Sequence, residues 1–308
     1  MYSDWSSVSK TKTENKSSFV RSMTALRFSK SAFTPPKASI TQPVWMKADA
    51  GKGPLQIAQA CIQKMPPITS LSIIHDNGCG DGNVTRSILS DLKPSDYPSR
   101  IHATDIASEL LSVLYDDVEK QKWPVTTALM PAQELSFPEN TFSHSITNCV
   151  ILRLSDTDAI RACSEIYRTL KPGGVGTVSG WADVPHREAM LKAHLETRPH
   201  GSEALVGGAI RWVDGKLLRR SMEEGGFVDV QMVKVKSVSE VEDLGAFVEY
   251  MWSLLGRMES GWIESDEANW DRAVQIFGDE IKKQPGVELL GNGKARLTSW
   301  CWIAIGTK

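Results

Sequence analysis

The feature that most constrains the fold of this chain is a glycine-rich loop that joins a short apolar run to a predicted helix. The apolar run at residues 71–76 ends in Asp76, and the loop itself reads Gly78-Cys79-Gly80-Asp81-Gly82. Glycines permit a tight turn and a close approach of the backbone to a ligand, and the first turn of a helix presents free N–H groups. The pattern therefore predicts a nucleotide-binding unit of strand, loop and helix.

The spacing of the glycines bears on which nucleotide such a loop would hold. A dinucleotide-binding loop has the pattern G-x-G-x-x-G, in which the helix dipole meets a pyrophosphate. Here the third glycine, Gly82, comes one position early. The carboxylate of Asp76 would also repel a pyrophosphate, whereas it suits a ligand that carries an ammonium group. A nicotinamide-dependent oxidoreductase is therefore the weakest of the functions considered.

A second predicted strand, at residues 100–105, also ends in a carboxylate, that of Asp105. Because the carboxyl ends of parallel strands meet at one edge of a sheet, Asp105 is expected next to the glycine loop. A carboxylate there can accept hydrogen bonds from both hydroxyls of a ribose. The alternative is a favourable charge at the N-terminus of the following helix, which Ser108 is expected to cap. Together with the loop, the ribose role is favoured.

Strands and helices alternate through the middle of the chain, which predicts a parallel sheet covered by helices on both faces. The predicted strands are 71–76, 100–105, 125–130, 142–150 and 175–181. The helix after the fourth strand is predicted to begin at residues 155–158 (SDTD), which form a capping-box-like pattern. The last third differs, with a strand at 227–236, helices near 244–258 and 267–283, and a final strand at 297–306. We expect these two strands to form an antiparallel hairpin at the sheet edge. Residues 44–308 are predicted to form one domain, with a helical insertion at about 240–290 on the substrate side.

The composition excludes several classes of protein. The 308 residues are 41% hydrophobic and 23% charged, with a formal net charge of −2, which is typical of a globular protein. No apolar stretch approaches the ~20 residues of a membrane helix, and the charge gives no general attraction to nucleic acid. The five cysteines include no C-x-x-C pair, and the six histidines show no H-E-x-x-H spacing. We therefore expect no disulfide framework and no metal site, and a cytoplasmic location.

The charge is unevenly distributed along the chain. Residues 1–43 contain seven basic and two acidic side chains, a net charge of +5, so the remainder carries −7. This serine-rich segment has no apolar core of a secretory signal and is predicted to be a disordered basic tail. A weakly amphipathic basic helix at residues 18–33, of the kind found in some mitochondrial targeting peptides, is the alternative.

Four segments, in this order and spacing, resemble the motifs of class I S-adenosylmethionine-dependent methyltransferases with a ubiquinone-biosynthesis-like domain. They are residues 74–82 (IHDNGCGDG), Thr104-Asp105, residues 132–142 (AQELSFPENTF) and residues 170–174 (LKPGG). The resemblance covers about residues 70–181. It implies a Rossmann-like α/β fold: a seven-stranded, mostly parallel sheet with helices on both faces and a C-terminal antiparallel hairpin. Within the family, the chain is most similar to fungal small-molecule methyltransferases of the type that S-methylate epidithiodiketopiperazines such as gliotoxin.

The resemblance also implies how S-adenosylmethionine would be held. Asp76 serves the amino-acid end, through its ammonium or by fixing the loop, while Asp105 takes the ribose and Asn148 lies near the methionine portion. A polar cap of the strand end is an equally good reading of Asn148. The remaining cofactor-binding positions are the three loop glycines, Gly78, Gly80 and Gly82, together with Ile106 packing on the adenine and Ala132 and Gln133 at its edge.

One position departs from the family pattern. The adenine-covering segment usually opens with an acidic residue that accepts a hydrogen bond from the adenine amino group, and Pro131 stands in its place. Proline has no side-chain acceptor, so this contact must come from Gln133 or from water. The N–H of Ala132 can still serve the ring.

No catalytic signature accompanies the cofactor motifs. A general base matters for a phenol, with a pKa of ~10, and less for a thiol at ~8.5. His186 and His194, both after the fifth strand, are weak candidates, since a single histidine on a helix more often lies at the surface or caps a turn. Four tryptophans can line an apolar acceptor pocket or belong to the core: Trp181, Trp212, Trp252 and Trp262.

The leading hypothesis is methyl transfer to the S, O or N atom of a small molecule in secondary metabolism. A second is the same fold binding the cofactor without methyl transfer, as another enzyme or a scaffold. A third is a protein, nucleic-acid or regulatory methyltransferase. The acidic body disfavours nucleic acid, as does Asn148-Cys149-Val150-Ile151 where an N/D-P-P-Y motif would stand. No membrane partner is expected, and the pattern leaves the oligomeric state open.

Overall fold

The computed structural model describes Lys37 and residues 52–202, 212–258 and 262–308. The predicted basic tail at residues 1–43 lies outside these ranges apart from Lys37, and the alternative helix at 18–33 lies wholly outside them. Within the described ranges, no helix has the length and apolar character that crossing a membrane requires.

The elements of the described chain alternate as the sequence predicts. The helices are α1 (Lys52–Gln63), α2 (Asn83–Leu89), α3 (Ser108–Gln121), α4 (Asp156–Thr169), α5 (His186–Thr197), α6 (Lys216–Glu224), α7 (Leu244–Met258), α8 (Glu264–Ala268) and α9 (Trp270–Ile281). The strands are β1 (Ile73–Asn77), β2 (Arg100–Asp105), β3 (Val125–Leu129), β4 (Phe142–Thr147), β5 (Leu170–Asp183), β6 (Val228–Val241), β7 (Val287–Gly291) and β8 (Lys294–Thr307).

These strands form one sheet in the order β3-β2-β1-β4-β5-β8-β6. The first five strands run parallel to one another, and β8 lies antiparallel between β5 and β6. The predicted α/β fold, with a mostly parallel sheet and antiparallel strands at its C-terminal edge, is confirmed. The crossover from β3 back to β4 brings the carboxyl ends of β1, β2 and β4 together at one edge.

The predicted number of strands is wrong, because the described part of the chain contains eight. The additional strand, β7, pairs antiparallel with the first residues of β8, on the side of β8 that β5 occupies further along. Its residues were assigned to the helical insertion. β7 forms because a tight hairpin turn joins it to β8, and in this turn Asn292 and Gly293 have φ of 51° and 80°. Asn-Gly is a preferred pair for such a turn, since both positions need positive φ.

Helix α4 shows how local sequence decides an element. Its N-cap is Ser155, whose hydroxyl accepts the Asp158 N–H at 3.1 Å, as the predicted capping pattern requires. The buried face repeats at helical spacing through Ala159, Cys163 and Ile166. At α3 the predicted cap is wrong. Ser108 is the first helical residue and Ala107 the N-cap, without a side-chain capping bond.

Helices cover the sheet on both faces. Helices α1, α2 and α3 pack on one face in a core that includes Ile57, Val84 and Leu114. On the other face α4 and α6 enclose a second core. A third cluster joins α5, α7 and α9 to the ends of β6 and β8, and it contains Trp252 and Phe277. The helices at residues 244–281 therefore share their core with α5 and with the ends of β6 and β8.

Candidate functional site

The glycine loop lies against the end of the neighbouring strand. The N–H groups of Gly78 and Cys79 donate to the carbonyl of Thr104 at 2.7 and 2.9 Å, and the Gly80 N–H donates to Asp105 Oδ2 at 2.8 Å. All three glycines have positive φ: 75° at Gly78, 55° at Gly80 and 104° at Gly82. The loop is thus closed onto β2 by its own backbone donors.

The three glycines differ in what surrounds them. A Cβ atom at Gly78 would overlap Val150, and one at Gly82 would lie 2.6 Å from Leu114 Cδ1, so these two are required by packing. At Gly80 the nearest atom to such a Cβ is Leu110 Cδ1, at 4.0 Å. The space beside Gly80 is therefore open, and a ligand can approach the backbone there.

Asp76 is buried beneath the loop, with 1% of its surface exposed. Its Oδ2 accepts from the Thr85 N–H at 3.1 Å and from the Thr85 hydroxyl at 2.7 Å, which ties the end of β1 to the first turn of α2. Its Oδ1 has no hydrogen-bond partner among the described residues. Of the two roles expected for Asp76, this geometry supports fixing the loop.

Burial raises the pKa of Asp76 to about 7, against the opposing effect of its two bonds from Thr85 and with a further increase from the charges of Asp105 and Asp81. The native state therefore holds a proton between about pH 4 and 7 that the unfolded chain has released. Stability from this group is fully present below about pH 4 and is lost as the pH rises through 7, at up to about 1.4 kcal/mol per pH unit.

Accordingly, Asp76→Asn is expected to flatten the fall in the free energy of unfolding between pH 5 and 8, and to make the protein more stable than wild type at pH 8. An asparagine oxygen can still accept both bonds from Thr85. Urea unfolding at four pH values measures the slope. Asp91→Asn, at an exposed position after α2, is the control. Equal slopes in wild type and Asp76→Asn would contradict the raised pKa.

Asp105 ends β2 beside the loop. Its Oδ1 accepts the Ala107 N–H at 2.9 Å, while Oδ2 accepts the Gly80 N–H. Each carboxylate oxygen has about two acceptor sites, so both can still accept a hydroxyl. The Asp105 side chain thus binds the N-terminal end of the following helix, which was the alternative role predicted for it. It also keeps acceptor sites that a ribose can use. Ile106 lies next to it, 46% exposed.

The predicted adenine-covering segment follows β3. The Met130 N–H donates to the carbonyl of Asp105 at 2.9 Å, and the Glu134 N–H donates to that of Pro131 at 3.1 Å, which closes a turn. Ala132 is buried in this turn, and Gln133 is half-buried. The turn is therefore held beside Asp105 by its own backbone.

Asn148 lies just beyond β4. Its Nδ2 donates to the Pro54 carbonyl of α1 at 2.9 Å, and its Oδ1 accepts the Ser179 hydroxyl at 2.9 Å. The same hydroxyl accepts the Cys149 N–H at 3.0 Å. These bonds match the strand-end cap that was the alternative to a cofactor contact. Ser179 and Pro54 are not among the residues predicted for the site, since no local sequence signal links them to Asn148.

The two candidate bases have different surroundings. His186, half-buried at the start of α5, lies edge-on to Phe247 with ring centroids 5.8 Å apart. Burial, and to a lesser degree the charge of Arg187, lowers the pKa of His186 to about 4. The ring is therefore neutral at physiological pH.

His194 lies in the core of the insertion and has no exposed surface. Its ring centroid is 4.4 Å from that of Trp252. Nearby, Arg198 donates to both oxygens of Asp266, at 2.8 and 2.7 Å. Burial lowers the pKa of His194 to about 4, as Arg198 does more weakly, while Asp266 raises it. Buried among aromatic rings, His194 cannot contact a substrate, and it is removed as a candidate base.

The four tryptophans considered for an acceptor pocket differ in how deeply they are buried. Trp212, Trp252 and Trp262 are at most 3% exposed and belong to the core. Trp181 is half-buried on β5 and packs against α1, where a Cβ at Gly53 would lie 3.2 Å from its Cη2 atom. Of these four, only Trp181 keeps appreciable exposed surface.

Comparisons with known proteins agree with this geometry. Residues 74–174 match the family described as "Methyltransferase domain". A protein from an Acremonium species, named Methyltransferase ucsB, is 28% identical over 250 residues, covering 76% of this chain and 84% of that protein. The crystal structure of the YcgJ protein from Bacillus subtilis is 16% identical, covers 83% of this chain and 97% of its own, and superimposes with a TM-score of 0.51. At that identity the similarity shows a shared fold.

The cofactor of this class of domain is S-adenosylmethionine, and the described residues fit it. The backbone at Gly80 has open space beside it, and both oxygens of Asp105 keep acceptor capacity for a ribose. The strand ends and the glycine loop thus provide the acceptors and the close backbone approach that an adenosyl group needs. Residues 74–174 therefore match a methyltransferase domain, and these similarities support an S-adenosylmethionine-dependent methyltransferase.

Proposed function

We propose that this protein transfers a methyl group from S-adenosylmethionine to the sulfur, oxygen or nitrogen atom of a small molecule, in the biosynthesis of a secondary metabolite. The observation that carries the proposal is the carboxylate of Asp105, which holds Gly80 and Ala107 and retains acceptors beside the open space at Gly80. The similarity to the Acremonium protein named Methyltransferase ucsB supports the methyl transfer.

Several residues would hold the cofactor. Asp105 accepts from the ribose hydroxyls, with Ile106 against the adenine, and the turn at Ala132 and Gln133 meets the edge of the base. Asp76 acts through Thr85, by keeping the loop in place. When bound, S-adenosylmethionine supplies a methyl group activated by the positive charge on its sulfur.

The chain's contribution to the reaction is then mainly orientation. Holding an acceptor atom in line with the methyl group supplies much of the rate, so a strong general base is not required for a thiol. For a less acidic acceptor, His186 is the remaining candidate as a neutral ring that accepts a hydrogen bond from the acceptor, since a pKa of about 4 makes it a weak base.

The acceptor would enter between α1, the end of β5 and the helical insertion. Ligands of open α/β sheets bind beyond the carboxyl ends of the strands. Trp181 lies near the carboxyl end of β5, and His186 follows just after that strand. We further propose that residues 44–308 act as one domain, because the last strand, β8, lies inside the sheet between β5 and β6. The five unpaired cysteines favour a cytoplasmic, reducing location.

Thermal unfolding with added ligands tests the cofactor assignment. S-adenosylmethionine and S-adenosylhomocysteine at a hundred times their dissociation constants are expected to stabilise the native state by about 2.7 kcal/mol, and NAD is expected to have no effect. Incubation with radiolabelled S-adenosylmethionine and thiol, phenol and amine acceptors then tests transfer. Absence of any shift would reject cofactor binding. A shift without transfer to any acceptor class would instead favour a binding protein or a different reaction.

A further inference from the structure

An ion pair on α4 holds the segment that follows β3, residues 130–137. Arg168 and Glu165 are neighbours on this helix, joined by two bonds of 2.8 Å from the guanidinium to the carboxylate. The bonds from Arg168 hold the pKa of Glu165 below its ordinary value. Both side chains are partly buried, with 32% and 21% of their surfaces exposed.

Both side chains of the pair also form hydrogen bonds with the backbone of the segment. Arg168 Nη1 donates to the carbonyl of Phe137 at 2.8 Å, and Nη2 donates to that of Leu135 at 2.9 Å. Glu165 Oε2 accepts the Leu135 N–H at 2.9 Å. Three backbone groups of the segment are thus bound by charged partners, which make stronger bonds than neutral ones.

The other end of the segment is held independently. The Met130 N–H donates to the Asp105 carbonyl, next to the proposed ribose acceptor. Residues 131–134 therefore span the distance between Asp105 and the ion pair, with both ends attached. Phe137, just beyond, packs edge-on against the buried ring of His75 at 5.3 Å between centroids. The turn containing Ala132 and Gln133 is thus held between Asp105 at one end and α4 at the other.

Because Pro131 has no side-chain acceptor, recognition of the adenine depends on how this turn is attached. With no carboxylate at that position, the adenine edge has to be recognised by backbone groups and by Gln133, whose positions depend on the turn. We infer that Arg168 and Glu165 are positioning residues for the cofactor, holding residues 130–137 so that the turn presents its polar groups to the adenine. This inference rests on the proposed function.

The test uses Arg168→Met, Arg168→Lys and Glu165→Gln in the full chain. Methionine removes every donor, whereas lysine keeps the charge but cannot reproduce the planar fork that bonds two carbonyls and a carboxylate. Arg220→Gln is the matched control, because Arg220 forms an exposed ion pair with Glu224 on α6, away from the segment.

Two measurements separate positioning from general stability. Hydrogen exchange of the protein without ligand is expected to quicken in the peptide covering residues 130–137 in Arg168→Met, and to be unchanged in Arg220→Gln. The dissociation constant of S-adenosylhomocysteine is expected to rise about tenfold in Arg168→Met and less in Arg168→Lys. S-inosylhomocysteine, which has an oxo group in place of the adenine amino group, should be affected less, so the preference for adenine over hypoxanthine falls.

Each outcome decides the matter. Unchanged exchange, or faster exchange with an unchanged preference between the two ligands, would overturn the positioning role. If Arg168→Met fails to fold, Arg168→Lys and Glu165→Gln carry the same two measurements. A wild-type protein that binds neither ligand rejects the proposed function and this inference with it, whereas binding with identical preference in all variants rejects the inference alone.

Discussion

Asp105→Ala is expected to weaken the binding of S-adenosylhomocysteine by about 2–3 kcal/mol, roughly a hundredfold. The substitution removes the acceptors proposed for the ribose and also the two bonds that the carboxylate accepts from Gly80 and Ala107. The ligand therefore loses direct contacts, and the loop against which it binds loses its attachment to β2. Isothermal titration calorimetry measures the affinity.

Two further variants make the result for Asp105 interpretable. Asp105→Asn keeps one oxygen for the backbone donors, so its loss of affinity should be smaller. Asp116→Ala removes an exposed carboxylate from α3, the helix that follows Asp105, and should bind as wild type does. Unchanged affinity in Asp105→Ala would remove this residue from the site.

Gly82→Ala is expected to lower the free energy of unfolding by about 3 kcal/mol or more. The residue has a φ of 104°, which an alanine adopts only with strain, and its Cβ would lie 2.6 Å from Leu114 Cδ1 in a fully buried part of the core. Backbone strain of about 1–2 kcal/mol and overpacking of about 1–3 kcal/mol both contribute. Urea unfolding at pH 7 gives the value.

Gly80→Ala is the control for the loss of stability expected in Gly82→Ala. Its φ of 55° lies in the left-handed region, but a Cβ there meets no atom closer than 4.0 Å. Its cost is expected to be near 1 kcal/mol, from backbone strain alone. Equal stabilities of the Gly80 and Gly82 variants would contradict the packing of the loop against α3.

Much of the fold follows from patterns within short stretches of the chain. The second strand was predicted with the bounds it has, because a short segment with Ile101 and Ala103 at alternate positions, ending in Asp105 before a helical pattern, is typical of a strand. The N-cap at Ser155 and the glycine loop were also predicted, since caps and tight turns depend on residues only a few positions apart. The strand β7 was missed although the Asn292-Gly293 turn was visible, because the residues after the predicted helix at 267–283 were left within the helical insertion and were not predicted to form a strand.

The sequence by itself determined three features of the site, since each resides in one contiguous stretch. They are the glycine loop, Asp105, and the segment after β3 that resembles an adenine-binding motif. Which groups hold those stretches in place was decided by the tertiary structure. Asn148 meets Ser179 across 31 residues and Pro54 across 94, and Leu135 meets Glu165 across 30. The burial of His194 likewise depends on Trp252 of α7 and Asp266 of α8, which follow it at a distance in the chain. Hydrogen bonds and packing between distant segments carry no periodic signal, so only the folded chain brings these residues together.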